Sequence, residues 1–263
     1  MRIILKFGTG ILTRPKGDSL DSAQFRELTA EVAALVKAGH ECIIVSSGAV
    51  GAGLFLFGLN ERPQDLPTIQ ACAAIGQSRL MRQYEKLFLR HGLHVAQLLL
   101  THQDIDSRAR YANARNTLER LFARRYIVPI INENDSVAVE ELRVGDNDRL
   151  SAEVAILANA DLLIILTTVA GLLATSDDGT QMVIPVVKDI AAATRLVREE
   201  RGRLSVGGMT SKLQAAKIAG DAGVCTVIAS GRTPSNIGRI AAGKSVGTRF
   251  EVARRKQKKP DSV

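Results

Sequence analysis

The chain is predicted to fold as an α/β protein: a mostly parallel central sheet with helices on both faces. Three observations predict it. Short β-branched apolar runs alternate with segments of helical hydrophobic period along almost the whole length, which is the pattern of strand–helix–strand units. Runs such as 161–167, DLLIILT, are apolar at nearly every position, as in strands buried on both faces. Glycine-rich and polar turns at 8–10, 46–53, 132–135 and 167–171 follow the predicted strands, and ligands of such sheets sit beyond the carboxyl ends of strands.

In chain order, Arg2 to Phe7 reads as a buried strand closed by Gly8-Thr9-Gly10. Phe25, Leu28, Val32, Leu35 and Val36 recur at helical spacing, and Gly39 stops that helix. Glu41 to Val45 is a short β-branched strand that breaks at Ser46-Ser47-Gly48. Pro63 to Pro67 reads as a loop, after which Thr68 can cap a long helix reaching about Arg90, ended by Gly92. His94 to Leu100 is the next strand, and a helix runs from about Ser107 to Arg124. Tyr126 to Ile131 is a strand, Leu150 to Ala158 a helix and Asp161 to Thr167 a strand. A further strand is expected at Val183 to Val187, then a helix at Ser211 to Ala222, a strand at Val224 to Ala229 and a last strand near Val246 to Phe250. Val137 to Val139 and Leu142 to Val144 can form the arms of a small ribbon.

The 263 residues are 46% hydrophobic, enough for one sizeable core. The 22 glycines against 7 prolines suit tight turns rather than disorder. Net charge is +8, but Arg254, Arg255, Lys256, Lys258 and Lys259 crowd the last ten residues. One domain over 1–252 is therefore expected, followed at 253–263 by a solvated, disordered tail rather than a nucleic-acid arm. The remaining basic excess suits anionic substrates, and no RNA-binding signature accompanies it. Cys42, Cys72 and Cys225 are odd in number, far apart and set among apolar residues. They read as buried thiols of a reducing compartment, with no metal-ligand spacing. The opening MRIILKFG runs straight into a strand, and no apolar run approaches the ~18 residues of a membrane span. A soluble, cytoplasmic protein without nucleic-acid or membrane partners is expected.

The stretch 131–152, INENDSVAVEELRVGDNDRLSA, holds two polar clusters, Asn134-Asp135 and Asp146-Asn147-Asp148, around one excursion at a strand mouth. It reads as the floor of a small-molecule site. Lys6 beside Gly8-Thr9-Gly10 can cradle phosphate oxygens; it can equally be a strand-end turn with a surfaced lysine. Ser46-Ser47-Gly48-Ala49 can bind an anion at a helix start or simply cap it. Val206-Gly207-Gly208-Met209-Thr210-Ser211-Lys212 offers amides, hydroxyls and a cation at another helix start, without the first glycine of the Walker pattern. Histidines 40, 91, 94 and 102 show no HExxH spacing, there is no GxSxG elbow and no GxGxxG after the first strand. Two lysines, glycine cradles and carboxylates remain. That inventory suits phosphoryl transfer, which is mostly positioning and charge neutralisation, or a nucleotide-binding module.

These residues resemble the amino-acid kinase family. The match spans residue 2 to about 250 and comprises KFGTG, VSSGAVGAG, AAIGQSRL (73–80), ARNTL (114–118), VPIINENDSVA, VGDNDRLSA, VGGMTSKLQAA and SVGT. The resemblance implies a three-layer αβα sandwich with amino-acid and ATP sites along the carboxyl ends of one sheet. The NEND…GDND pair points to the branch that phosphorylates the γ-carboxylate of L-glutamate, the first step of proline synthesis. By that resemblance Lys6 and Lys212 would stabilise the transferring phosphoryl group and Asp148 would orient both. Ser47, Gly48, Asp135 and Asn147 would hold glutamate. Gly8, Thr167, Thr168 and Val206 to Lys212 would line the ATP site, with Mg²⁺ bridging the nucleotide phosphates. No role follows for Asp146 beyond stabilising its turn.

The chain departs from the family pattern in three places. Thr167-Thr168 stands where Thr-Asp is usual, Ser205-Val206-Gly207-Gly208 where Gly-Thr-Gly-Gly is usual, and Gly10 where serine or asparagine is usual. Many members of the glutamate-phosphorylating branch carry a further C-terminal PUA domain; here only the basic tail is expected in its place. The family also implies feedback inhibition by proline and a homo-oligomer, dimer or tetramer. The apolar helix at 69–89 is a candidate contact surface, ordinary core packing being the alternative. The 60–68 loop and the 136–144 ribbon can close over a substrate. Other acceptors within the fold (aspartate, acetylglutamate, carbamate, uridylate) and a non-catalytic ligand-binding regulator are the competing functions.

Overall fold

A computed structural model describes residues 1–14, 19–59, 61–137, 146–176, 179–199 and 207–252. The expected tail at 253–263, most of the 136–144 ribbon, Asn60, Ser205 and Val206 lie outside the described residues.

The chain begins with β1 (Arg2–Phe7), a four-residue turn of helix α1 (Thr9–Leu12), α2 (Ser22–Lys37), β2 (Glu41–Ser46) and α3 (Ala49–Leu54). It continues through α4 (Leu66–Leu89), β3 (His94–Leu100), α5 (His102–Asp106), α6 (Arg108–Phe122) and β4 (Ile127–Glu133). Then come α7 (Asp146–Leu157), β5 (Leu162–Thr167), β6 (Leu173–Thr175), β7 (Gln181–Val183), β8 (Val186–Val187) and α8 (Ile190–Glu199). The last elements are α9 (Gly207–Asp221), β9 (Cys225–Ser230), α10 (Asn236–Ala241) and β10 (Thr248–Phe250). Eight strands form one sheet in the order β3-β4-β2-β1-β5-β9-β10-β8. The pairs from β3 to β9 are parallel, and β10 runs antiparallel to β9. This is the predicted architecture.

The period-2 alternation of β1 builds the two cores. Ile3, Leu5 and Phe7 join Phe25, Leu28, Tyr84 and Phe88 on the α2/α4 face. Ile4 joins Leu118, Ala152, Leu157 and Leu213 on the α6/α7/α9 face. Each fully buried large side chain stabilises by about 1.5–3 kcal/mol. Lys6, two residues after Ile4, falls by parity on the α7/α9 face. That parity decides the site.

The differences from the expected elements have local causes. The long helix starts at Leu66, because Asp65 and not Thr68 is the cap: its Oδ1 accepts the Thr68 N–H at 3.0 Å. Pro67 occupies the first turn, where its missing N–H costs nothing. The apolar side of α4, with Ile69, Ala73, Leu80 and Tyr84, is buried inward, so core packing accounts for it. The strand expected at 183–187 divides at Pro185 into β7 and β8. The helix expected from Leu150 starts four residues earlier, which turns Asp146-Asn147-Asp148 from a free turn into the opening of α7. α1, α5, α8 and α10 are additional, three of them shorter than two turns.

The helices α3 and α4 interlock through glycine. A Cβ on Gly76 would lie 1.7 Å from Ala49 O, and one on Gly53 would lie 1.9 Å from Cys72 O. Only bare α-carbons permit this approach.

Candidate functional site

At the carboxyl ends of β4, β2, β1 and β5 lies a cavity of about 360 Å³. Its floor is an ion cluster assembled from three elements. Lys6 comes from β1, Asp148 from the first turn of α7 and Lys212 from the first turns of α9. Lys6 Nζ stands 2.6 Å from Asp148 Oδ1, and Lys212 Nζ donates to Asp148 Oδ2 at 3.0 Å. Ser211 Oγ donates to the same Oδ2 at 2.7 Å, and Lys212 Nζ also donates to Gly208 O at 2.8 Å. Asp148 is 1% exposed and Lys6 5%.

The surroundings bend both titrations. Burial lowers the Lys6 pKa and the Lys212 charge lowers it further, against the opposing pull of Asp148. Burial alone would raise the Asp148 pKa, but the Lys6 and Lys212 charges and the Lys6 and Ser211 hydrogen bonds hold it below its ordinary value. Asp148 is therefore a fixed anion between two cations. Its place at a helix N-terminus suits its charge.

Beside the cluster, Asn147 ties the second group together. Its Nδ2 lies 2.9 Å from Ser46 O, 3.0 Å from Ser47 Oγ and 3.1 Å from Asn132 Oδ1. Asn132 in turn donates to Gln77 Oε1 of α4 at 2.8 Å. Ser46 is set by a 2.9 Å hydrogen bond to the buried Tyr84 hydroxyl, itself packed edge-on against Phe25 at 5.0 Å between centroids. Gly48, with φ +93°, turns the chain from β2 into α3 in a conformation that favours glycine.

Of the residues singled out from sequence, Lys6, Gly8, Ser47, Gly48, Asp135, Asn147, Asp148, Thr167, Thr168, Gly208, Ser211 and Lys212 all line this one cavity. Met209 and Thr210 stand on the same helix without lining it, Gly207 opens that helix, and Val206 lies outside the described residues. Sequence reasoning gave no individual role to three polar lining residues: Asn132 and Glu133, inside the 132–135 turn it had singled out, and Arg62. Asn132 and Glu133 end a buried strand, and a polar pair there was the available signal. Arg62 had none, since its place depends on how the segment before α4 folds back. Gly10 and Thr168 meet across the cavity wall: a Cβ at Gly10 would lie 3.1 Å from Thr168 Cγ2. The two departures from the expected pattern thus adjoin each other.

The arrangement offers a cationic end, with Lys6, Lys212 and the glycine turn Gly8 to Gly10. It offers a polar end at β2 and β4, with Ser47, Asn147, Asp135 and Glu133. Among the described residues no group of three or more His, Cys, Asp or Glu could hold a metal ion, and Asp148 already serves two lysines. The two lysines and the Gly8 to Gly10 turn suit polyphosphate oxygens, on which a divalent cation would be carried. Among the described residues no helix is long and apolar enough to cross a membrane.

Residues 1–229 match the amino acid kinase family. The chain is 48% identical over 256 residues to a glutamate 5-kinase of Gloeobacter violaceus, covering 96% of this chain and 69% of that protein. It is 46% identical to a glutamate 5-kinase of Moorella thermoacetica, covering 95% and 66%. The chain thus spans about two thirds of the length of these curated relatives. Among solved structures, the carbamate kinase of Giardia lamblia bound to AMP-PNP superposes with a TM-score of 0.68 at 18% identity, over 96% of this chain and 98% of that one. The UMP kinase of Bacillus anthracis superposes with a TM-score of 0.63 at 16% identity, over 95% of each. Those two likenesses concern the fold.

Proposed function

This chain belongs to the amino acid kinase family, and on that footing we propose that it transfers the γ-phosphoryl group of ATP to the γ-carboxylate of L-glutamate, the first step of proline synthesis. The observation that carries the reading is the buried Lys6–Asp148–Lys212 cluster on the floor of a cavity whose other end is ringed by Ser47, Asn147 and Asp135.

The chemistry asks little of a protein base. A γ-carboxylate with an ordinary pKa of about 4.3 is ionised at neutral pH and needs no proton removed to become a nucleophile. One carboxylate oxygen attacks the γ-phosphorus, the bond from that phosphorus to the β–γ bridging oxygen breaks, and ADP leaves, giving an acyl phosphate. The obstacle is charge, since an anion must approach an anion. Lys6 and Lys212 supply two cations at that point, and Asp148 holds them there without itself taking a proton. At the substrate end, Asp135 offers an anion to the glutamate ammonium, and Ser47 and Asn147 offer hydrogen bonds to its polar groups. Gly48, in its turn conformation, brings main-chain groups close to them. Gly8, Thr167, Thr168 and the start of α9, from Gly207 to Lys212, form the nucleotide side, to which the sequence also assigns Val206. Mg²⁺ carried in with ATP would supply charge neutralisation on the phosphate side, where Lys6 and Lys212 stand.

The kinase domain is taken as 1–252, the location as the cytoplasm, the assembly as a homo-oligomer and proline as a feedback inhibitor. Purified protein given ATP, Mg²⁺, glutamate and hydroxylamine should form the γ-hydroxamate, with proline reducing the rate. Product from aspartate, acetylglutamate, carbamate or UMP in place of glutamate would reassign the acceptor. Binding of ATP and glutamate without turnover would make the chain a regulator.

A further inference from the structure

The segment leaving β9 braces the nucleotide side of the cavity without lining it. The Gly231 N–H donates to Thr167 O at 2.9 Å. Gly231 also packs hard on the α1 turn: a Cβ there would come 2.8 Å from Ile11 Cδ1 and 3.2 Å from Leu166 Cβ. The next residue, Arg232, grips the same turn from its far end. Its Nη2 donates to Gly10 O at 2.8 Å and to Thr13 O at 3.1 Å. Its Nη1 donates to Asp21 Oδ2 at 2.9 Å and to Gln24 Oε1 at 3.3 Å. A planar guanidinium with donors fixed in a fork can meet four acceptors at once; an ammonium cannot.

The pattern is more than a surface ion pair. With side chains 34% and 22% exposed, the Arg232–Asp21 pair contributes little by charge alone. Asp21 is already employed as the cap of α2, accepting the Gln24 N–H at 3.1 Å. The carbonyls of α1 have the greater need. If that helix continued, the Arg14 N–H would bond Gly10 O; instead it bonds Ser19 O at 2.9 Å. Arg232 takes up the carbonyl this leaves. The other side of the same short turn is Gly8 to Gly10, which lines the cavity next to Lys6.

We propose that Arg232 is a positioning residue for the phosphoryl transfer, setting through the Gly10 and Thr13 carbonyls where the Gly8–Gly10 turn stands against the nucleotide phosphates. This rests on the reading that the Gly8 side of the cavity takes ATP. Because misplacing reacting groups by about an ångström can cost about 10²-fold, the turn needs a brace at its open end. Gly231 and Arg232 supply it in two consecutive residues.

Arg232→Ala, Arg232→Lys and Asp21→Asn test it, with steady-state kinetics against ATP and against glutamate and a melting temperature for each. Arg232→Ala is expected to lower kcat/KM for ATP about 10- to 100-fold while the glutamate KM stays within about twofold. Arg232→Lys should recover only part of the loss. Asp21→Asn should leave kcat/KM for ATP unchanged, whatever it does to Tm. An Arg232→Ala protein with a lower Tm but kcat/KM for ATP within about twofold of wild type would make the residue merely structural and overturn the proposal. An equal rise in both KM values would overturn it too. A wild-type enzyme that makes no hydroxamate from ATP and glutamate would instead refute the reading of the site, before any variant is compared.

Discussion

Asp148→Asn removes the one negative charge from a place where three charges are buried together. Asp148 lies 2.6 Å from one ammonium and 3.0 Å from the other, and at an effective dielectric of about 20 each contact attracts by about 6 kcal/mol. Desolvation of the ions offsets several kcal/mol per ion, so that deleting one partner of such a pair costs about 3–5 kcal/mol in net terms. The asparagine leaves two ammonium groups converging on one cavity with nothing between them. Burial and the Lys212 charge already lower the Lys6 pKa, and only Asp148 opposes them; without it that pKa falls further. On the proposed mechanism a neutral Lys6 withdraws a cation from the transferring phosphoryl group, and one lost positioned group is worth about 10²–10³ in rate. Since both lysines lose their anchor, kcat should fall about 10³-fold, and the alkaline limb of the pH–rate profile should move to lower pH.

Stability rises with pH through both groups of the cluster, Asp148 at the acid end and Lys6 at the alkaline end. The depressed Asp148 pKa contributes stability above the ordinary carboxylate value, lost as pH falls through the folded value. The depressed Lys6 pKa makes stability rise with pH from the folded value toward its ordinary value, where the unfolded chain still binds the proton. The asparagine variant should therefore lose the acid-side slope of Tm and keep the alkaline one, displaced to lower pH. Hydroxamate formation and Tm measured across the pH range check both. A variant with kcat within about threefold of wild type and an unmoved alkaline limb would refute the role given to Asp148.

Lys212→Ala and Asp135→Ala should separate the two ends of the cavity. The first should lower kcat about 10²–10³-fold with little change in glutamate KM, and the second should raise glutamate KM about 10- to 100-fold with kcat nearly kept. Steady-state kinetics with both substrates tell them apart, and a reversed pattern would exchange the two assignments. Gly76→Ala places a methyl group 1.7 Å from Ala49 O and forces α3 away from α4. Overpacking of this kind costs about 1–3 kcal/mol, seen as a Tm drop of about 2–4 °C per kcal/mol. Because Ala49 lines the cavity, glutamate KM should rise as well.

The strands β1 to β5 and β9 were legible because they are apolar runs closed by glycine or polar residues, whereas β6, three residues at the surface, went unread and the strand expected at 183–187 is two. The four turns at strand ends, 8–10, 46–53, 132–135 and 167–171, meet at one cavity because a parallel sheet aligns its carboxyl ends. The bounds of α4 and α7 were not legible. Thr68 and Asp65 are both good caps, and the choice depends on Pro67 fitting the first helical turn. Asp146-Asn147-Asp148 reads as a turn by composition, and only its contacts with Ser47, Lys6 and Lys212 draw it into helix. The short helices α1 and α10 have no sequence signal of their own: α1 is held by Gly231 and Arg232 from across the fold, and the start of α10 by Glu31, whose carboxylate accepts the N–H groups of Ser235, Ile237 and Gly238. Arg62 was invisible for the same reason. Long-range contacts are what a single sequence hides.

A buried cluster of three charges is a poor way to stabilise a core, since hydrophobic replacements of buried ion pairs are often neutral or stabilising. Its position shows why the fold tolerates it. Lys6 sits one residue beyond the last row in which β1 alternates between two apolar faces, so its ammonium emerges where the sheet ends and α7 and α9 begin. The strand below it, Ile3 to Leu5, is fully buried and paired on both sides, with Lys6 itself in register with Val45 and Ile165. The stem of the lysine is thus fixed by the most rigid part of the molecule, and its charge is met by an aspartate at a helix start. A site on flexible loops would have to order two long side chains when substrate arrives, at about 1.5–2 kcal/mol each. Here the folding of the sheet has already done so, which is what a reaction catalysed chiefly by positioned charge requires.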